Sequence, residues 1–358
     1  MVDMSQQVLT VVPGSLVADK SVVVELWQDG LRHPDPGKSF EWLYINNPVK
    51  SGSIYLLKSR HVDEAEQNAK SVGTIGTSPR RLKLRGEEIS AALFSDFVVT
   101  PAYRSLGPAL KLVKESVASM IVSGATVYGF PNHRASAVLR RTGFEIVGEF
   151  ARYAKVLRTK EKIAERIPSV LAPVGSFFLD IALWLDDFIT SEAFRTALGE
   201  VERLSDFDKR FDELAESSTM GVICNYRGSS FLRWRFFEGA VTDYKVFAIT
   251  MPGDRSISGY AVFRIEGDIA HIDDFYARDG EGVAHAVFSR FMLELRKFPV
   301  SSVSMEVLAY PSFKAMLHRL RFQKREARHL FVATANESMK SELDNPDLFY
   351  LTSSDEDQ

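Results

Sequence analysis

The run Asp96-Phe-Val-Val-Thr-Pro-Ala-Tyr-Arg104-Ser-Leu-Gly107-Pro-Ala109-Leu110 decides the fold. An alternating apolar stretch closing on Val98-Val99 reads as a strand, and Leu110, Val113, Val117 and Ile121 then recur at helical spacing. Strand, glycine-containing turn and helix follow one another without a gap. Such a turn aims unpaired backbone N–H groups and the positive end of the helix at one point, where a pyrophosphate fits. Gly107 lets the backbone approach a ligand, Ala109 keeps the helix start narrow, and Arg104 offers a charge-assisted contact to a phosphate oxygen. The pattern is neither the Gly-Lys-Ser/Thr phosphate loop nor the Gly-x-Gly-x-x-Gly dinucleotide fingerprint.

Working outward, alternation predicts strands near Val8 to Val12, Ser53 to Lys58, Val72 to Thr77, Ile89 to Val99 and Thr126 to Gly129. A helix is expected from Asn132 to Arg141, stopped by Gly143, with a strand from Glu145 to Val156. The first half is therefore a mixed α/β unit. Periodicity turns helical from about Lys160 to Leu198, and the strand and helix alternation resumes after Val201. Three features of the first half recur in order in the second. Phe40-Glu-Trp42-Leu-Tyr44 is echoed by Phe231-Leu-Arg-Trp234-Arg-Phe236, Ser95-Asp96-Phe97 by Asp273-Asp274-Phe275, and Pro131 with Gly143-Phe144 by Pro311 with Arg321-Phe322. A duplicated unit is the expectation. It divides the chain into 1–160, a helical linker 161–198, a diverged copy 199–337 and an acidic tail 338–358, whose end Ser353 to Gln358 reads as solvated and disordered.

Composition bounds the function. With 358 residues, 45% hydrophobic and 25% charged, the chain is an ordinary globular one of about two domains. A net charge of -3, evenly mixed, lacks the basic footprint of a nucleic-acid binder, so nucleic acid is not an expected partner. Cys224, the only cysteine, leaves no internal disulfide and no cysteine-based zinc site; it reads as a small buried residue in a reducing compartment. No metal is expected. The N-terminus has no basic n-region, which points to a cytoplasmic protein. Val170 to Leu185 is the most apolar stretch, but Pro173, Gly175 and Asp180 interrupt it and it is shorter than the ~20 residues of a span. It reads as a packed helix between domains, or as an interfacial helix giving peripheral membrane association.

The turn at Arg104 to Ala109 is the Arg/Gln-x-x-Gly-x-Gly/Ala signature of the GNAT superfamily of acyl-CoA-dependent N-acyltransferases, which this chain resembles. Tyr128-Gly-Phe-Pro-Asn132 and Thr142-Gly143-Phe144-Glu145 follow it as that family's fifth strand and Gly-Phe turn would. The resemblance covers Val8 to Val156 well and the second half in outline. It implies that the fourth and fifth strands splay apart, that Val98 and Val99 pair with a pantetheine arm, and that Arg104, Ser105, Leu106, Gly107, Pro108 and Ala109 hold its pyrophosphate. Acetyl-CoA or another acyl-CoA is then the cosubstrate. Two departures stand out: Pro108 lacks the N–H usual in this turn, and Leu139 occupies the place of the family's proton-donating tyrosine. The second copy, Ala277-Arg-Asp279-Gly-Glu-Gly282-Val-Ala284, carries acids that repel a pyrophosphate, so coenzyme is expected only in the first.

Acyl transfer to an amine needs a base. Asp96, at the end of the fourth strand, is the carboxylate nearest the expected gap; a turn-capping role is its plainer reading. Tyr128 is the candidate proton donor, although strand packing also explains it, Asn132 an amide contact to the cosubstrate, and His133 an alternative base. Trp42 and Tyr44 are expected on the acceptor side, as the resemblance implies. Arg80, in Arg80-Arg-Leu-Lys-Leu-Arg85, is either part of a half-buried strand with a solvated face or a contact for an anionic acceptor. Trp42-Leu-Tyr44-Ile-Asn-Asn-Pro48 and Gly129-Phe-Pro-Asn132 add a likeness to transferases of surface-polysaccharide and exopolysaccharide pathways, so a small-molecule or glycan amine is the expected acceptor. Two alternatives remain: a relative of the tandem GNAT-like transferases that use aminoacyl-tRNA, as FemABX-like enzymes do, and a non-catalytic acyl-CoA-binding scaffold.

Overall fold

The computed structural model describes residues 6–31, 33–122, 124–158, 181, 184–185, 188, 198–217, 221–239, 242–280 and 282–357. Most of the helical linker expected over 161–198, including most of Val170 to Leu185, lies outside them. Among the described residues no helix is long and apolar enough to cross a membrane.

Four antiparallel strands open the chain: β1 (Gln7–Gly14), β2 (Ser53–His61), β3 (Lys70–Leu84) and β4 (Glu87–Val99). The β3–β4 connection is a two-residue turn in which Arg85 and Gly86 both have positive φ, the geometry that matches strand twist in a hairpin. Helices α1 (Lys20–Gly30) and α2 (Pro36–Phe40) lie between β1 and β2, and α2 continues as a π-helical turn, Glu41–Ile45. Helix α3 (Leu106–Val122) crosses over to β5 (Thr126–Gly129), which lies parallel to β4. Its buried face centres on Leu112, Val113, Ser116, Val117 and Met120, one position from the stripe expected; Leu110 and Ile121 sit at its margins. Helix α4 (His133–Leu139) and β6 (Glu145–Val156) complete the first half.

The second half repeats the order. It comprises β7 (Val201–Leu204), α5 (Lys209–Ser217), β8 (Ile223–Asn225), α6 (Ser229–Arg233) with a π-helical turn Trp234–Glu238, and β9 (Lys245–Thr250), β10 (Ile257–Glu266) and β11 (Ile269–Ala277). Then follow α7 (Val283–Leu295), β12 (Ser302–Leu308) parallel to β11, α8 (Pro311–Arg319), β13 (Gln323–Ala333) and a short β14 (Phe349–Thr352). One sheet runs through the molecule in the order β1-β2-β3-β4-β5-β13-β6-β12-β11-β10-β9-β7. The last long strand of each half is thus exchanged. β13 pairs with β5, β6 with β12, and β6 and β13 pair with each other at the centre.

The π-helical turns meet across this junction. The indoles of Trp42 and Trp234 stack with centroids 4.9 Å apart, Trp42 Nε1 donates to the Trp234 carbonyl at 2.8 Å, and Trp234 Nε1 donates to the Trp42 carbonyl at 3.0 Å. An added Cβ on Gly239 would lie 2.3 Å from the Trp42 ring, so only glycine leaves room for the stack.

Candidate active site

The β4–β5 ladder runs from Ala91 and Thr126 to Leu93 and Tyr128 and stops. Beyond it β4 carries a one-residue bulge against β3, between the pairs Thr74 with Val98 and Gly76 with Ser95. Asp96 sits in the bulge at φ +53, and the distortion turns its carboxylate into a cleft of about 830 Å³. The bulge, not a capping bond, sets its direction. Tyr44 donates to Asp96 Oδ2 at 2.5 Å and lies 3.0 Å from Ser95 Oγ, while His33 Nε2 stands 2.8 Å from Asp96 Oδ1. Tyr44 reaches Asp96 by passing over Gly76, where a Cβ would come within 2.0 Å of its hydroxyl. Burial and then the charge of Asp96 push the Tyr44 phenol well above its ordinary range. Burial alone would lower the His33 imidazole, but its hydrogen bond to Asp96 and the charges of Asp96 and Asp357 hold it above its ordinary value.

Asp357 comes from the tail, and here the expectation of a solvated, disordered end is overturned. Ser354 and Asp355 are fully buried, and Thr352 and Asp355 form a reciprocal capping box. Three arginines hold the segment. Arg235 donates to the Ser353 and Ser354 carbonyls, each at 3.1 Å; Arg227 to Asp355 at 2.8 Å; Arg328 to Glu356 at 2.7 and 3.1 Å. The acids are buried because guanidinium partners from distant parts of the chain offset their desolvation. Glu356 and Asp357 line the cleft. Burial, then the neighbouring Asp96 charge, raises the Asp357 carboxyl to about 6. No sequence signal ties Asp357 or His33 to Asp96.

The turn after β4 keeps an open face. Arg104, Ser105, Leu106 and Gly107 are exposed, while Pro108 and Ala109 are buried beneath the first turn of α3. A Cβ on Gly107 would meet nothing within 4 Å. Val98 and Val99 pair with Thr74 and Gly73 on β3, and Arg104 Nε donates to the Val99 carbonyl at 2.9 Å. Asn132 lines the cleft, but its side-chain oxygen caps α4 by accepting from Arg134 and Ala135, so that atom is taken. Trp42 lines the cleft beside Arg235 and Tyr244.

Four expected roles meet different surroundings. Tyr128 is 1% exposed and outside the cleft lining, its hydroxyl donates to the Asp355 carbonyl at 3.3 Å, and burial raises its phenol, so it is a core residue, not a proton donor. Tyr44 is fully buried beneath Asp96 and supports that carboxylate; it does not line the acceptor side. Arg80 is 2% exposed, bonded to Ser78 Oγ and the Pro79 carbonyl with its guanidinium over Trp234, so it cannot meet an acceptor. Strand parity explains this: Arg80 shares the inward face with Leu82 and Leu84, while Arg81 and Lys83 face outward. His133 is exposed, Leu139 is in the core, and Cys224 is buried, its thiol pushed up to about 11 by burial.

Solved structures with the same arrangement are distant in sequence. A probable N-acyltransferase from Enterococcus faecalis superposes with a TM-score of 0.64 at 13% identity, over 91% of this chain and 72% of its own. A GCN5-related N-acetyltransferase from Anabaena variabilis gives 0.61 at 14% over the same shares, and Eis1 from Mycobacterium abscessus 0.56 at 14% over 91% and 73%. The fold is that of the GCN5-related N-acetyltransferases. No protein-family model matches the chain, and no curated protein matches it by sequence.

Within this GNAT fold the second half has the same opening, but it is filled. The β11–β12 ladder stops at Ile272 and Met305, and β11 carries its own one-residue bulge at Asp273. β14 enters the gap and pairs with β12, and Tyr350 donates to the Phe275 carbonyl at 2.6 Å. Asp274, the counterpart of Asp96, is closed in by Arg227 at 3.0 Å, Tyr260 at 2.7 Å and Thr352 at 2.8 Å. A cavity of about 320 Å³ remains, lined by Tyr310, Phe313, Tyr350, Arg278 and Asp279 among others.

Proposed function

We propose that this chain is an acyl-CoA-dependent N-acyltransferase, moving a short acyl group, acetyl first among them, to an amine of a small-molecule or glycan acceptor. The observation that carries this reading is the opening of β4 from β5 beyond Leu93, which joins the exposed start of α3 to a cleft holding Asp96, His33 and Asp357. The residues present fit the coenzyme. The first turn of α3 offers unpaired N–H groups beside an open Gly107, although Pro108 supplies none and Arg104 is tied to Val99. Bound there, acyl-CoA supplies an activated thioester carbonyl.

The chain's own residues then handle the amine. Carboxylates Asp96, Glu306, Glu356 and Asp357 line the cleft against Arg235, Arg328 and His33, and attract an ammonium group. The Asp96–His33 pair takes its proton, with Asp357 as the adjoining acceptor, and leaves the free amine to attack. With Leu139 in the core and Tyr128 away from the cleft, no tyrosine at either expected place protonates the leaving thiolate, which departs as the anion or takes a proton from solvent.

We read the two halves as copies of one unit, with coenzyme held by the first. The paired bulges, the reciprocal Trp42 and Trp234 bonds and the exchanged strands support this division. The lone cysteine supports a cytoplasmic location. The test is transfer of labelled acetyl from acetyl-CoA to a panel of amines and amino sugars, run beside calorimetric titration with acetyl-CoA, longer acyl-CoAs and coenzyme A. A chain that binds none of them sinks the assignment; binding without transfer makes it a coenzyme-binding scaffold.

A further inference from the structure

We infer that Arg227 is a positioning residue for the first-half cleft, acting through Asp355 to hold the segment that sets Asp357 against Asp96 and His33. Arg227 is 1% exposed and does not line that cleft. Its guanidinium spends its donors on the Asn225 carbonyl at 2.9 Å, Asp274 at 3.0 Å and Asp355 at 2.8 Å, between the rings of Tyr276 and Tyr350. Two buried carboxylates thus share one buried cation. Asp355 in turn accepts from the Thr352 N–H at 2.7 Å, so the same carboxylate ties the guanidinium to the turn at Thr352 to Asp355.

From Asp355 the chain reaches Asp357 in two residues, a span of at most about 7 Å. Fixing Asp355 therefore restricts where the Asp357 carboxyl can be. Of the clamps on the segment's side chains, Arg227 is the fully buried one, at 0% side-chain exposure against 34% for Arg328. Arg235 grips the Ser353 and Ser354 carbonyls, which lie upstream, and Arg328 bonds Glu356 while itself half-buried and shared with Glu306. Asp274, next to the bulge at Asp273, is the cation's other carboxylate anchor. In this arrangement a residue of one half sets the chemistry of the other.

The kinetic consequence rests on the acyl-transfer reading, but the positioning can be read without it. His33 reports the local field: it is faced by Asp96 from β4, by Asp357 from the tail and by the Trp27 ring from α1. Its ring is titrated by NMR in the full chain, native and with Asp355→Asn, Asp357→Asn and both. Asp355→Asn keeps the Arg227–Asp274 pair, so it is the variant chosen to stay folded, with near-UV circular dichroism as the check; Arg227→Gln and Arg227→Lys follow. The expected result is a fall in the His33 midpoint in Asp355→Asn comparable to that in Asp357→Asn, with no further fall in the double variant. Arg227→Gln should reproduce the fall, and Arg227→Lys should restore part of the midpoint. A folded Asp355→Asn protein with the native midpoint, or a double variant whose shifts simply add, overturns the proposal. In the transfer assay kcat should drop with acetyl-CoA affinity unchanged. Absence of acetyl-CoA binding in the native chain would sink the acyl-transfer reading and leave the His33 result standing.

Discussion

Gly107→Trp separates a coenzyme site from an ordinary helix start. An ideal Cβ at Gly107 has no neighbour within 4 Å, and its φ is not in the left-handed region, so a side chain leaves the backbone there without a clash at its base or conformational strain. Replacing glycine in a helix recovers a few tenths of a kcal/mol of propensity, so thermal unfolding should be unchanged or slightly raised. The cost falls on a ligand. An anion at the first turn of α3 takes N–H bonds of about 1.5–3 kcal/mol each, and an indole over the turn removes at least two of them. That corresponds to a loss of roughly 10²-fold or more in affinity. Calorimetric titration of acetyl-CoA and free coenzyme A into the native and variant chains, with unfolding curves alongside, reads both terms. Equal affinity in a folded variant refutes the assignment of residues 104–109, whatever activity is later found.

Four further outcomes follow from the site and the junction. Asp96→Asn keeps an acceptor for Tyr44 but loses the base, so kcat should fall by roughly 10²- to 10⁴-fold with acetyl-CoA binding retained; an unchanged kcat would shift the role to Asp357. In the native chain activity should begin to decline already above about pH 6.5, as His33, held above its ordinary value, takes a proton, and should fall further through about 6 where Asp357 follows, because both must be unprotonated to accept the amine proton. An acid limb near 4 would exclude both. Trp42→Ala and Trp234→Ala should each destabilise by about 3 kcal/mol, and the double-mutant cycle should return a coupling of roughly 1–3 kcal/mol from the stack and reciprocal hydrogen bonds, against near-zero for independent sites. Coenzyme should bind once per chain, and Tyr350→Ala, which removes the side chain occupying the second opening, should still bind one because Asp279 remains at that turn; two equivalents would show a second site.

The strands of the first half were legible because alternation and helical spacing are local properties. Ser53 to Lys58, Ile89 to Val99 and Thr126 to Gly129 fall within β2, β4 and β5. The exchange of β6 and β13 was not, since a strand's pattern states which faces are buried but not which strand lies alongside. Asp96 could be named from its place at the end of β4. Its partners could not: His33 lies 63 residues earlier, and nothing in its neighbourhood marks it. The resemblance puts Tyr44 on the acceptor side, whereas the close approach allowed by Gly76 sends it beneath the carboxylate. The composition of the tail misleads in the same way. Ser353 to Asp357 is small and acidic, but the cation that buries Asp355 stands 128 residues away in the chain. Local acidity describes an isolated segment, and burial depends on the partner.

The filled opening of the second half explains why the cleft of the first half is complete. If β14 left the gap beside β12, Phe349 to Thr352 would lose the strand pairing that fixes its direction, and Asp274 would lose Thr352. Arg227 would then face Asp274 without Asp355, and taking one partner from a buried charge network costs about 3–5 kcal/mol. The segment is therefore held in place by the second half, and its next residues, Glu356 and Asp357, emerge into the cleft of the first. Strands β6 and β13, paired at the centre, keep the two openings in one continuous sheet, and the nine-residue segment Phe349 to Asp357 bridges them.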